Sequence, residues 1–246
     1  MVLRFRLFRS LAALAFCLLF APAAQAFRLA PIEMEFDPAG RGATQIFRLE
    51  NENKEPAAVE IRILARAQDR EGEDVLTPAD DDWVVFPEQI ILEPGQTQSV
   101  RVQWIGNGNP PREQAYRLIA EQLPVELGQA PTSGGQVRLL VRYVASLYVR
   151  PAGVSPALTV TGAQHVAGPQ GKQQLELVVQ NAGSARQMLL NPTLALTAGG
   201  RSLTLTGPQL EGLAGENILA GTTRRFLLPW PAGLAVGPVT ADLRLP

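Results

Sequence analysis

The sequence predicts an all-β protein: two immunoglobulin-like β-sandwich domains joined by a short hinge. Three observations predict it. Short alternating segments rich in β-branched residues recur along the chain, each closed by Gly, Pro or Asn, and no window carries a helical stripe. About seven of these segments fall within about 125 residues, the count and spacing of one immunoglobulin-like sandwich. A proline-bounded break, Pro151 to Pro156, then separates them from a second set punctuated by glycine.

The chain opens with Arg4, Arg6 and Arg9, followed by an apolar run from Leu11 to Phe20 and an Ala24-Gln25-Ala26 cleavage pattern. Residues 1–26 therefore read as a secretory signal peptide cleaved after Ala26, too short in its apolar part for a membrane anchor. The only cysteine, Cys17, lies inside this segment, and Phe16 before it is too large for lipoprotein attachment. The exported chain is then expected to stand on its cores alone, without disulfides, as a soluble protein outside the cytoplasm. Three of the 22 basic residues fall in the signal, leaving 19 against 23 acidic ones and a formal charge of about −4. With no basic run, nucleic acid is not an expected partner.

The first domain is expected over residues 27–150. Thr44–Glu50 alternates and stops at the turn cluster Asn51 to Pro56, and Ala58–Leu64 alternates next. Segments 83–86, 89–92, 98–104 and 115–123 follow, with Glu93-Pro94-Gly95-Gln96 placing Pro and Gly as a type II turn requires. The domain closes with Val137–Val149, thirteen residues without Gly or Pro, where strands usually run to about five or six. Its odd positions, Val137 to Val149, are apolar throughout, so one face is continuously greasy. Such an edge strand is an aggregation hazard unless strand donation is its purpose. After a hinge over 151–157, strands resume at 157–161, 174–180, 189–196, 202–205 and 223–228, a smaller sandwich over 158–246.

Enzymatic chemistry is poorly represented. His165 stands in a polar segment and reads as a surface residue without a partner base. Asp80-Asp81-Asp82 offers oxygen ligands, yet reads as solvated charge or a cap rather than a calcium site. No glycine-rich phosphate loop joins a strand to a helix. No catalytic residue, metal, cofactor or small-molecule substrate is expected.

Four segments in order carry a resemblance: Leu64 to Leu76, Phe86 to Arg101, Ala115 to Pro124, and the strand ending in Arg150-Pro151. Together they resemble the periplasmic pilus chaperones of the chaperone–usher pathway, the PapD-like superfamily. The resemblance implies two domains set at an angle around a cleft. It further implies a chaperone that inserts its long strand into an incomplete pilus or fimbrial subunit and delivers that subunit to an outer-membrane usher. Strand addition would satisfy the subunit's orphan backbone groups, and alternate apolar side chains would fill its open core. The residues that fit this donor face are Val137, Leu139, Val141 and Tyr143; they could instead face their own domain's core.

Family members usually anchor the subunit's terminal carboxylate with an arginine ahead of a Phe-Asp-like pair and a lysine four residues before the closing Arg-Pro. Those positions hold Glu33 and Ser146 here. The Gln68 to Gly72 and Tyr116-Arg117-Leu118 patterns instead resemble the divergent, archaic-type branch. A carboxylate still calls for a charge-assisted donor. Arg117, which interrupts an apolar strand expected to neighbour the long one, is the first candidate, and Arg142 on the long strand is the second. The free chaperone could hide its greasy strand by self-association. The alternative is an exported binding module for carbohydrate or a surface protein, with Trp83, Trp104 and Trp230 as the available aromatic platforms.

Overall fold

The structure, a computed structural model, describes residues 27–125 and 139–246. The expected signal peptide, residues 1–26, and the donor candidate Val137 lie outside the described residues.

Ten strands are described up to Val149: β1 (Phe27–Ala30), β2 (Glu33–Phe36), β3 (Thr44–Asn51), β4 (Ala57–Gln68), β5 (Asp74–Pro78), β6 (Trp83–Phe86), β7 (Gln89–Leu92), β8 (Thr97–Trp104), β9 (Gln114–Gln122) and β10 (Arg142–Val149). One sheet has the order β1-β3-β8-β6, and the other β2-β10-β9-β4-β5, with β7 also paired to β4. Alternation decides which side chains meet between them. Phe47 and Leu49 from β3 and Val100, Val102 and Trp104 from β8 face Val59, Ile61 and Ile63 from β4 and Leu118 and Ala120 from β9. Each large aliphatic side chain buried this way contributes roughly 1.5–3 kcal/mol before ordering costs.

The aromatic residues are part of that core. Trp83 lies edge-to-face on Phe36, Trp104 and Tyr116, with centroids 4.9, 5.1 and 5.2 Å away. Trp83 and Trp104 are therefore buried together, and neither is available as a carbohydrate platform. Trp230 instead meets His165 edge-on at 5.0 Å. His165 lies on a strand, half-buried rather than on the open surface, with this ring and Gln173 as neighbours and neither of them a base. Asp80–Asp82 forms a single 3-10 turn, in which Asp82 accepts a hydrogen bond from the Tyr116 hydroxyl.

The second half holds β11 (Leu158–Ala167), β12 (Gln173–Asn181), β13 (Gln187–Met188), β14 (Thr193–Ala198), β15 (Arg201–Thr206), β16 (Asn217–Ile218), β17 (Thr223–Pro229) and β18 (Val239–Arg244). Sheets β11-β12-β17 and β15-β14-β18, with the short pair β13-β16, enclose a separate core around Leu175, Leu177, Leu194, Leu196 and Leu228. Segment 189–196, expected as one strand, is interrupted because Asn191 adopts a left-handed φ of 46° just before Pro192, a conformation that ends a ladder.

Both sandwiches close a corner with a buried asparagine. Asn51 donates to the Leu92 and Glu55 carbonyls and accepts from the Asn53 amide. Asn181 donates to the carbonyls of Ala185, Ile218 and Leu219 and accepts from the amides of Ala157 and Gly183. Each stands at the end of a strand where the chain turns and backbone partners run out. Among the described residues no helix is long and apolar enough to cross a membrane.

The long strand is shorter than expected. Strand pairing begins at Arg142; Leu139, Leu140 and Val141 precede it, although the Gln122 amide still donates to the Val141 carbonyl. The reason is its partner. β9 pairs with β10 up to Glu121↔Arg142 and ends at Gln122, after which the Leu123 amide turns to Ala58.

Candidate functional site

β10 has two different edges. One side pairs along its whole length with β9, whereas β2 runs parallel to it only from Ser146↔Glu33 to Val149↔Phe36. Among the described residues, Arg142 to Ala145 therefore have no strand on the β2 side, an edge at which backbone donors and acceptors can take another strand.

The side chains of this segment divide by parity. Ala145, Leu147 and Val149 are buried in their own domain's core. Val141 and Tyr143 pack against that core while half-exposed, and the Tyr143 ring meets Phe27 edge-on at 5.1 Å. Leu139 is 67% exposed. Among the expected donor residues, Leu139 is thus free, and Val141 and Tyr143 are shared with the core.

The even positions of β10 point the other way: Ser146 meets Arg117 on β9, and Tyr148 meets Arg186 and Asn217 of the second domain. Across the sheet, Glu33, Ser146, Arg117 and Leu64 form one register row on β2, β10, β9 and β4. Arg117 Nη1 donates to the Ser146 hydroxyl, and its Nε donates to Asp74 Oδ2 at 2.6 Å. Arg66 Nε donates to Asp74 Oδ1, also at 2.6 Å, and its Nη1 donates to the Tyr148 hydroxyl at 3.2 Å. One carboxylate thus bridges two guanidiniums. Burial pushes the Asp74 carboxyl up, but the hydrogen bonds and charges of Arg117 and Arg66 outweigh it and hold the group below its usual range. Arg142 lies elsewhere, exposed, in register with Glu121 and without an ion pair among the described residues.

Contacts from the second domain complete the cleft. Arg186 reaches Glu33 at 2.8 Å, Glu35 at 2.9 Å and Glu113 at 3.3 Å, and its guanidinium carbon lies 3.5 Å above the Tyr148 ring. Glu33, the residue that departs from the family's basic position, is therefore engaged by Arg186 from the other domain. The Tyr148 hydroxyl also accepts from Asn217 at 3.0 Å, while Gln68 donates to the Asn217 carbonyl and accepts from the Leu219 amide. On the flank, Arg224 donates to the Glu71 carbonyl beside Gly72.

Sequence reasoning named Arg117, which lies in this cluster, and did not name Arg66, Asp74, Glu113, Tyr148 or Arg186. A weak signal existed: Arg66 interrupts β4 as Arg117 interrupts β9. Nothing in the sequence pairs either arginine with Asp74, which follows a hairpin turn.

Residues 38–155 match the family model of the pili and flagellar-assembly chaperone, PapD N-terminal domain. Residues 38–155 therefore carry the N-terminal domain of the PapD-like pilus-assembly chaperones. Chaperones of this family are periplasmic. Solved structures agree in fold over both domains. The Class 5 fimbriae chaperone CfaA is 15% identical, with 89% of this chain and 99% of that chain covered and a TM-score of 0.56. A chain of the CsuC–CsuE chaperone–tip adhesion subunit pre-assembly complex from the archaic Csu pili of Acinetobacter baumannii is 19% identical, with 89% and 97% covered and a TM-score of 0.54. A chain from the Salmonella enterica SafA pilin complex with the SafB chaperone is 17% identical, with 85% and 86% covered and a TM-score of 0.51. No curated protein sequence matches the chain.

Proposed function

We propose that this PapD-like chaperone binds an incomplete pilus or fimbrial subunit along the open edge of β10 and hands it to an outer-membrane usher. The observation that carries the reading is the open edge itself: among the described residues Arg142 to Ala145 have no partner on the β2 side, and the chain enters them through Leu139 and Val141. A subunit strand added there gains backbone hydrogen bonds, while donor side chains enter its exposed core. Val137 and Leu139 are the outer donor residues in this reading, and Val141 and Tyr143 the inner ones, turning from their own core toward the subunit's. The chemistry is non-covalent, so no catalytic residue is assigned. Export relies on the leader at residues 1–26, with cleavage after Ala26.

The subunit's terminal carboxylate is anchored by Arg117. In the family pattern the cations stand at the positions of Glu33 and Ser146; here the cation lies one strand further along the same row, bonded to Ser146. Together with the Tyr116-Arg117-Leu118 pattern, this supports reading the chain as an archaic-type member. Arg142 stands too far up the strand to share that carboxylate and is assigned to the rim of the groove.

The deciding experiment is co-expression with a secreted pilus subunit encoded beside this gene. Co-purification and protection of the subunit from protease are expected. A subunit that neither co-purifies nor gains protection would refute the proposal, and recovery of a chaperone dimer alone would favour self-association of the greasy segment.

A further inference from the structure

We infer that Asp74 is a built-in competitor for the subunit's terminal carboxylate, holding the anchor Arg117 together with its neighbour Arg66 in the free chaperone and attenuating their affinity. The inference rests on the anchor reading given above.

Charge count and geometry both point this way. Arg66, Arg117 and Asp74 carry a net charge of +1 where their side chains are only 7, 17 and 24% exposed. The remaining contacts of the two guanidiniums are to neutral hydroxyls, Tyr148 and Ser146, and neither Nη2 atom has a partner among the described residues. The neighbouring acids of the cleft are engaged by other arginines, Glu33 by Arg186 and Glu35 and Glu113 by both Arg186 and Arg150. The two guanidiniums thus share a single carboxylate, and that carboxylate belongs to the chaperone.

An arriving carboxylate meets two cations that already share an anion. It must displace Asp74 or sit beside it, and like charges in one site disfavour each other. The occupied state thus gains less than two bare arginines would give. The gain lost from the complex shortens its lifetime, which suits a protein that must surrender its cargo. A lowered carboxyl pKa agrees with this arrangement, because Asp74 stays ionised and competes throughout the neutral range.

The probe is a peptide copying the last strand of a subunit that co-purifies, made with a free C-terminal carboxylate and, in parallel, as the C-terminal amide. Wild-type chaperone is expected to prefer the carboxylate form; equal binding of the two would remove the anchor reading itself. Asp74→Asn is expected to bind the carboxylate peptide at least threefold tighter while leaving the amide unchanged. Glu73→Gln, which removes a neighbouring exposed charge that bonds neither arginine, should leave both unchanged. Unchanged or weaker carboxylate binding in folded Asp74→Asn overturns the proposal, as does an equal gain in Glu73→Gln. In the wild-type protein, the Nε–H resonances of Arg66 and Arg117 should move with the carboxylate peptide and not with the amide; identical spectra would also overturn it, whatever the stability of the variant.

Discussion

Arg117 lies directly opposite Ser146 on the β9–β10 ladder and donates a hydrogen bond to its hydroxyl. A small hydroxyl on β10 leaves room for a guanidinium rooted on β9, so a cation stands one strand away from the position where the family pattern has one. Truncating Arg117 to Ala should reduce subunit recovery about tenfold or more, since a hydrogen bond to a charged group contributes roughly 1.5–3 kcal/mol. Adding Ser146→Lys to that variant should restore recovery by returning the charge to β10. Co-purification yields from periplasmic extracts read both outcomes, and undiminished recovery in the single variant would exclude Arg117.

The donor residues should separate by their exposure. Leu139 is free of its own core, whereas Tyr143 packs on Phe27. Leu139→Glu is expected to abolish the subunit complex with an unchanged melting temperature. Tyr143→Glu should abolish it and also cost about 1–3 kcal/mol of chaperone stability. Thermal melts beside pull-downs distinguish them, and a Leu139→Glu variant that still captures subunit would move the donor site elsewhere.

Glu113 should hold the domain angle. Its carboxylate is 2% exposed and faces Arg186 across the cleft, and its amide donates to the Ser184 carbonyl. Glu113→Ala leaves the Arg186 guanidinium without this buried partner, at a cost of about 3 kcal/mol. Small-angle scattering should then report a broader distribution of interdomain angles, with both sandwiches intact by circular dichroism.

Gly72 is required twice at one position. Its φ of +90° disfavours other residues, and an added Cβ would stand 1.8 Å from Arg224 Nη2. Gly72→Ala should detach the turn between β4 and β5 from the second domain. Trypsin cleavage after Arg70 is the readout: faster cleavage is expected, and a wild-type digestion rate would show that the contact does not restrain the turn.

Asp74 ties stability to pH. Its folded pKa lies below the ordinary carboxylate value, so its contribution is complete above about pH 4 and disappears as pH falls through the lower folded value. Wild type should therefore melt above Asp74→Asn at pH 7, and the gap should close in acid. A gap independent of pH would assign the stabilisation to packing.

Most strands were legible in the sequence because turn residues mark where each ladder stops: Pro94-Gly95 before β8 and Asn51 to Pro56 after β3 are read directly. Strands β1, β2, β13, β16 and β18 were not, since each is short and gains its stability from a neighbour remote in sequence, as β2 does from β10; β5, a five-residue strand, was missed although it pairs with β4 next to it. The sequence by itself determined the two-sandwich class, the greasy approach to β10 and the candidacy of Arg117, all of which follow from local alternation and from a charge interrupting it. Only the tertiary structure decided that Asp74 bridges Arg66 and Arg117, and that Arg186 crosses from the second domain to Glu33. The same holds for Trp83 and Trp104, which pack against each other inside the first domain. These are pairings between residues far apart in the chain, and no periodicity encodes which charge or ring will meet which until the sheets are stacked.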